Sequence, residues 1–140
     1  MRLILDTNVL LAAILSPVGA PAKLLDAWER NQYTLVACEE LIAEFREVVS
    51  RPFFRARLRA SVAELLAASL RDFSSFYQNL PAGVVAPDPK DSYLLALAEI
   101  SHTDYLVTGD HELLSLKQHQ STRIITPAET LQLLKDGPPK

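Results

Sequence analysis

The chain alternates between two patterns of apolar residues. Short unbroken apolar runs, without polar alternation, predict strands buried on both faces. Between them, apolar positions recur every three or four residues, which predicts amphipathic helices. The predicted strands are residues 3–5, 34–37, 84–85, 105–108 and 123–125. The predicted helices are residues 9–14, 21–31, 39–50, 61–77, 88–101 and 112–116, with a last one from residue 127.

Strands that alternate with helices indicate the α/β class, with a parallel sheet and helices on both of its faces. With 140 residues and 49% hydrophobic composition, the chain is long enough to bury one core. We therefore predict a single domain over residues 1–135, followed by a flexible tail at residues 136–140.

The bulk charge excludes a strongly basic nucleic-acid binder, because the formal net charge is −3. Contact with RNA would need local patches, and Arg51, Arg55 and Arg59 would share one face if their segment were helical.

A single cysteine excludes an internal disulfide. The apolar run after Asn8 is too short to span a bilayer. We expect a soluble, cytoplasmic protein without a membrane partner.

Acidic residues follow several of the predicted strands. Asp6 comes directly after the first strand, Asp91 lies in the first helical turn after the third, and Asp110 follows the fourth. The carboxyl ends of parallel strands meet at one edge of a sheet, where α/β proteins bind their ligands. Glu44, on the helix after the second strand, can approach the same edge. The sequence therefore predicts a cluster of four carboxylates.

Such a cluster needs a counter-charge. Two unit charges 4 Å apart repel by about 4 kcal/mol at an effective dielectric of 20. Protonation or a bound cation relieves this repulsion. Oxygen ligands without histidine or cysteine favour Mg²⁺ or Mn²⁺ over zinc. A cation of this kind can activate water and balance charge on a phosphate, so the pattern predicts metal-assisted phosphodiester hydrolysis.

Each acid also has a simpler interpretation. Asp6 and Asp110 could cap the helices that follow them. Asp91 would sit at the third position of a helix capped by Asp88, where a carboxylate favours the helix dipole. Glu44 alone would be an ordinary surface residue. The hypothesis of a metal site therefore depends on the four positions as a set.

The acidic positions and their neighbours resemble one family, that of the PIN domains. The resemblance extends from Arg2 to about Leu134, and the closest likeness is to VapC-like toxins of bacterial toxin–antitoxin pairs. The segments that carry it are Leu-Asp-Thr-Asn at residues 5–8, Glu44, Asp-Pro-Lys-Asp at residues 88–91, Leu-Leu-Ala-Leu-Ala at residues 94–98, and Asp-Tyr-Leu-Val-Thr-Gly-Asp at residues 104–110.

The resemblance implies a three-layer α/β/α fold whose five-stranded parallel sheet has the order 3-2-1-4-5. It also implies an endoribonuclease that depends on Mg²⁺ or Mn²⁺, cleaves an RNA substrate, is blocked by a cognate antitoxin protein and forms a homodimer. Its catalytic and metal-binding acids would be Asp6, Glu44, Asp91 and Asp110. Two polar residues, Asn8 and Thr108, match positions that line the same site.

The chain departs from this pattern beside the third acid. Relatives often carry a further acid there, whereas Lys90 and Ser92 flank Asp91 in this chain. The loss of a ligand would weaken a metal site. A second interpretation is therefore a PIN domain with little catalytic activity, which acts as an RNA-binding or antitoxin-partner module. His111 replaces a basic residue of many relatives and receives no role.

Two other classes with acids at strand ends lack a required group. A phosphatase of the haloacid dehalogenase type needs a second aspartate two residues after the first, where this chain has Asn8. A receiver domain needs a lysine after the fifth strand, but Thr126 and Pro127 follow Ile125.

Overall fold

A computed structural model describes residues 1–136. Within these residues, fifteen elements follow one another: β1 (Arg2–Leu5), α1 (Thr7–Leu15), α2 (Ala20–Glu29), β2 (Thr34–Cys38), α3 (Glu39–Val49), α4 (Pro52–Arg55), α5 (Ala60–Asp72), β3 (Ser75–Tyr77), a 3₁₀ turn (Pro89–Asp91), α6 (Ser92–Ser101), β4 (Tyr105–Val107), α7 (His111–Leu116), β5 (Gln118–His119), β6 (Thr122–Ile125) and α8 (Pro127–Asp136).

The fold is α/β, as predicted, but the sheet has six strands and not five. Its order is β3-β2-β1-β4-β6-β5. Five strands are parallel, and β5 pairs antiparallel with β6 at one edge. β5 contains only two residues, which is too short to produce a recognisable apolar pattern. The five parallel strands keep the predicted order, with β6 in the fifth position.

The predicted third strand at Val84–Val85 is wrong. The third strand is β3, which begins nine residues earlier, in a segment predicted as the end of a helix. That helix, α5, ends at Asp72, so its predicted extent to Tyr77 is also wrong. Val85 is 75% exposed, whereas Val84 and Ala86 on either side of it pack against the core, so this segment is a partly buried loop and not a strand. The aromatic residues of β3 pack against the core instead.

Helices cover both faces of the sheet. Leu3, Ile4 and Leu5 are all fully buried, and consecutive residues of a strand point to opposite faces. β2 is equally enclosed, since Leu35 to Cys38 have no exposed surface. Both strands are therefore central, and the carboxyl end of β1 lies in the middle of one edge of the sheet.

No single helix among residues 1–136 is long and apolar enough to cross a membrane; α1 and α2 would reach that length only together, and they bend by 95° at their junction. The final helix α8 includes Asp136, the first residue of the predicted tail. The rest of that tail, residues 137–140, lies outside the described residues.

Arg2 fixes the position of β3 in the sheet. Its guanidinium donates hydrogen bonds to the Tyr77 hydroxyl at 2.7 Å and to the Ser75 hydroxyl at 3.2 Å. It also donates to the Ser101 carbonyl at 3.3 Å. Because β2 lies between β1 and β3, this side chain connects two strands that do not pair directly.

Replacement of Arg2 by alanine should loosen β3 before the rest of the sheet. We expect Arg2→Ala to lower the free energy of unfolding by about 1–2 kcal/mol, since the hydrogen bonds come from a partly buried charged group. Hydrogen exchange should show faster exchange at Phe76 and Tyr77 than in the wild type, with β1 unchanged. Arg30→Ala, at an exposed position, is the control. Equal protection of β3 in both variants would contradict this role.

Candidate active site

Asp6 lies at the carboxyl end of β1 and is 4% exposed. Its amide donates to the Val107 carbonyl of β4, and its own carbonyl accepts from the amides of Val9 and Leu10 as α1 begins. The backbone of Asp6 thus starts the helix, but its side chain makes no capping hydrogen bond. Capping of α1 therefore does not explain the carboxylate at this position.

Thr108 holds the Asp6 carboxylate in place. Its hydroxyl is fully buried and donates to Oδ2 of Asp6 at 2.7 Å. The same hydroxyl accepts from the Asp110 amide at 3.0 Å, which orients its proton towards Asp6. Thr108 therefore lies beside Asp6, and its role in a functional site stays a prediction.

Asp110 begins α7, and Oδ1 of its carboxylate accepts from the Glu112 amide at 3.0 Å. The capping interpretation is correct for this residue. Capping does not separate Asp110 from the other acids, because its negative charge is one of the causes that raise the pKa of Asp91. One side chain thus caps a helix and also acts electrostatically on a second acid.

Asp91 closes the 3₁₀ turn and precedes α6. Asp88 caps this turn by accepting from the Lys90 amide at 3.0 Å, as the sequence predicted for a helix start. Asp91 is at the cap position of α6 but makes no capping hydrogen bond with its side chain. Its carboxyl is instead affected by the negative charges of Asp6 and Asp110.

The charges of Asp6, Asp91 and Asp110 act on one another. Burial, followed by the charges of Glu44 and Asp110, raises the pKa of Asp6 to about 6, although hydrogen bonds from Thr108 and Thr7 act against this. Burial, followed by repulsion from Asp6 and Asp110, raises the pKa of Asp91 to about 7. Within residues 1–136, no Lys, Arg or His forms an ion pair with any of these acids.

Glu44 is half-buried on α3, and its charge acts on Asp6. Its Oε2 accepts a short hydrogen bond from the Tyr93 hydroxyl. Tyr93 lies in the first turn of α6, and its hydroxyl is 3.5 Å from that of Thr7. The sequence analysis missed Tyr93. The sequence feature that could have indicated Tyr93 is its position: a tyrosine two residues after Asp91, in a helix whose other apolar residues are mostly aliphatic.

Asn8 is exposed in the first turn of α1, and its role stays a prediction.

The structure does not support one helical face for the three arginines. Arg51 precedes α4, Arg55 ends it, and Arg59 lies beyond a break, immediately before α5. All three are exposed, but Arg51 is paired with Glu47 at 2.7 Å. Their contact with RNA also stays a prediction.

The donor set fits a hard divalent cation in its chemistry, since carboxylate oxygens are the ligands that Mg²⁺ and Mn²⁺ prefer. The arrangement is less complete. No three acidic, histidine or cysteine side chains in the part of the chain that the structure describes are placed to hold one ion. An ion would therefore have to draw these carboxylates inward or complete its shell with water.

The fold is α/β, and acidic residues gather near the carboxyl ends of its parallel strands. Proteins of this class carry an acidic site at one edge of the sheet. Residues 2–112 match the family profile described as PIN domain. The chain belongs to the PIN domain family. Members of this family are generally nucleases, and these nucleases typically use divalent metal ions. A search of curated proteins finds no significant match to the chain.

The raised pKa of Asp6 predicts a pH dependence of stability in the metal-free protein. The folded state binds more protons than the unfolded chain between pH 3.8 and about 6, so stability should fall as pH rises through this range. For Asp6 alone we expect a loss of about 1–1.5 kcal/mol between pH 5.0 and 7.5. Asp91 should act in the same direction.

Urea unfolding with a chelator present, at pH 5.0 and 7.5, measures this effect. Asp6→Asn keeps an acceptor for Thr108 but removes the charge, so its stability should depend less on pH and exceed that of the wild type at pH 7.5. Asp26→Asn, at an exposed position on α2, should behave as the wild type does. A wild type that gains stability between the two pH values would contradict the raised pKa.

Proposed function

We propose that this PIN domain is an endoribonuclease that depends on Mg²⁺ or Mn²⁺. The observation that supports this most directly is a group of neighbouring carboxylates, with Asp6 deeply buried and no ion pair to any of them among the described residues. Buried like charges cost free energy unless a proton or a cation neutralises them. A divalent cation is the partner that suits both the donor chemistry and the family.

Asp6, Asp91 and Asp110 would hold the ion, with Glu44 beside them. A bound cation supplies charge balance for the phosphate and lowers the pKa of a coordinated water. Thr108 keeps Asp6 at the centre of the site, because its hydroxyl accepts from one strand-end amide and donates to the carboxylate. The Glu112 amide fixes Asp110 through one oxygen. Both acids are thus oriented before substrate arrives.

A second candidate is a PIN domain without appreciable turnover, which binds RNA or an antitoxin. The specific observation in its favour is that no three potential ligands within residues 1–136 are already placed to hold an ion. Lys90 and Ser92 also stand where further acids would strengthen the site. The two candidates differ in whether a divalent ion binds at physiological concentration.

We propose further that the chain is the toxin of a toxin–antitoxin pair, acts in the cytoplasm as a homodimer, and is blocked by a cognate antitoxin. The support is the resemblance of its acidic motifs to VapC-like toxins. Expression of the chain alone should arrest growth, and co-expression with the protein encoded by the adjacent reading frame should restore it. Growth arrest that Asp6→Asn retains would argue against a nuclease toxin.

Loss of one acid should abolish RNA cleavage. We expect Asp6→Asn and Asp110→Asn to reduce the cleavage rate of single-stranded RNA by about 100-fold or more, the order seen when a group that stabilises transition-state charge is removed. Chelation should stop the wild type, and Mn²⁺ or Mg²⁺ should restore it. Asp26→Asn should cleave at the wild-type rate. Cleavage that survives chelation would exclude the metal-dependent mechanism.

Thermal unfolding distinguishes the two candidates. A ligand at a hundred times its dissociation constant stabilises the folded state by about 2.7 kcal/mol. Titration with Mn²⁺ should therefore raise the melting temperature of the wild type and leave Asp6→Asn almost unchanged. If both proteins respond alike, or neither responds, the module without turnover is the better description.

A further inference from the structure

Tyr93 connects three helices around the acidic edge. Its hydroxyl donates to Oε2 of Glu44 on α3 and lies 3.5 Å from the Thr7 hydroxyl on α1. Tyr93 itself belongs to α6, two residues after Asp91. The hydroxyl of Tyr93 thus lies between Glu44, on a helix, and Thr7, the residue that follows Asp6.

The ring of Tyr93 is partly buried and packs against the hydrophobic core. Leu94 and Leu95, the next two residues of α6, are at most 1% exposed. Before it, the Ser92 hydroxyl accepts from the Ala86 amide at 3.0 Å, which ties the preceding loop to the start of the helix. We therefore expect the hydroxyl of Tyr93 to keep its position in a variant that lacks the Glu44 carboxylate.

Glu44 has no comparable support of its own. Its side chain is half-buried, and Tyr93 is its one hydrogen-bond donor among the described residues. The negative charge of Asp6 lies near enough to repel it, so an unrestrained Glu44 would turn towards water. The hydrogen bond from Tyr93 opposes this movement and occupies one carboxylate oxygen, Oε2, which leaves Oε1 for another partner.

We propose that Tyr93 is a positioning residue that holds Glu44 beside Asp6, so that Oε1 is available to the divalent ion of the proposed nuclease. This inference rests on the proposed function, because it concerns the same ion. Partners that orient metal ligands typically change metal affinity by 10–100-fold when they are removed. Tyr93→Phe removes only the hydroxyl and keeps the ring in its packing.

The test is a double-mutant cycle on Mn²⁺ binding. We would measure free Mn²⁺ by electron paramagnetic resonance in titrations of the wild type, Tyr93→Phe, Glu44→Gln and the double variant. Tyr93→Phe should weaken binding by about 10-fold. The same change should have little effect in the Glu44→Gln background, because a residue that acts through Glu44 has nothing left to position.

Tyr33→Phe is the matched control. Tyr33 is buried, and its hydroxyl donates to the Leu24 carbonyl at 2.6 Å, so its removal costs one buried hydrogen bond away from the acids. It should bind Mn²⁺ as the wild type does. A second readout needs no metal: the carboxyl ¹³C resonance of Glu44 should shift in metal-free Tyr93→Phe and stay in place in Tyr33→Phe.

In RNA cleavage, the Mn²⁺ concentration for half-maximal rate should rise about 10-fold in Tyr93→Phe, with a small change in the rate at saturating metal. If the wild type binds Mn²⁺ through Asp6 but Tyr93→Phe binds it equally well, the positioning role is wrong and the nuclease proposal stands. An equal loss in the presence and absence of Glu44 also overturns it. If the wild type binds no Mn²⁺, both proposals fail.

Discussion

The hydrogen bond between Thr108 and Asp6 is the interaction on which the site depends. It joins the residues that follow β1 and β4, and the Asp110 amide completes it by donating to the same hydroxyl. Both strands are central and parallel, so their ends cannot move apart without disrupting the core. The fold thereby fixes a buried carboxylate at the middle of the sheet edge.

That carboxylate is costly for stability. Asp6 is 4% exposed, and the negative charges of Glu44 and Asp110 repel its carboxylate. Among the described residues, no basic side chain forms an ion pair with it. A polar residue at the same place could start α1 without this repulsion, since the Asp6 side chain does not cap that helix. Structural need alone therefore does not account for the acid. An unfavourable burial of like charges is typical of sites that are organised for a ligand rather than for stability.

Much of the fold was predictable, because four of the parallel strands contain short runs of adjacent apolar residues, a pattern that differs from the spacing of an amphipathic helix. Asp6 and Asp110 were predictable for the same reason, since each follows one of these runs. β3 was not, because its three residues continue a helical pattern and depend on Arg2 for their position. Tyr93 was missed because periodicity assigns an aromatic residue in a helix to packing and carries no information about a distant glutamate.

Asp6, Asp91 and Asp110 would bind a divalent ion at their edge of the sheet if the protein is the metal-dependent nuclease that we propose. Crystals of the wild type soaked in millimolar Mn²⁺ test it directly through anomalous diffraction. We predict an anomalous peak within coordination distance of carboxylate oxygens of Asp6 and at least one of the other two acids, and its absence in Asp6→Asn. A well-ordered edge without a peak, or a peak elsewhere that persists in Asp6→Asn, would contradict the account.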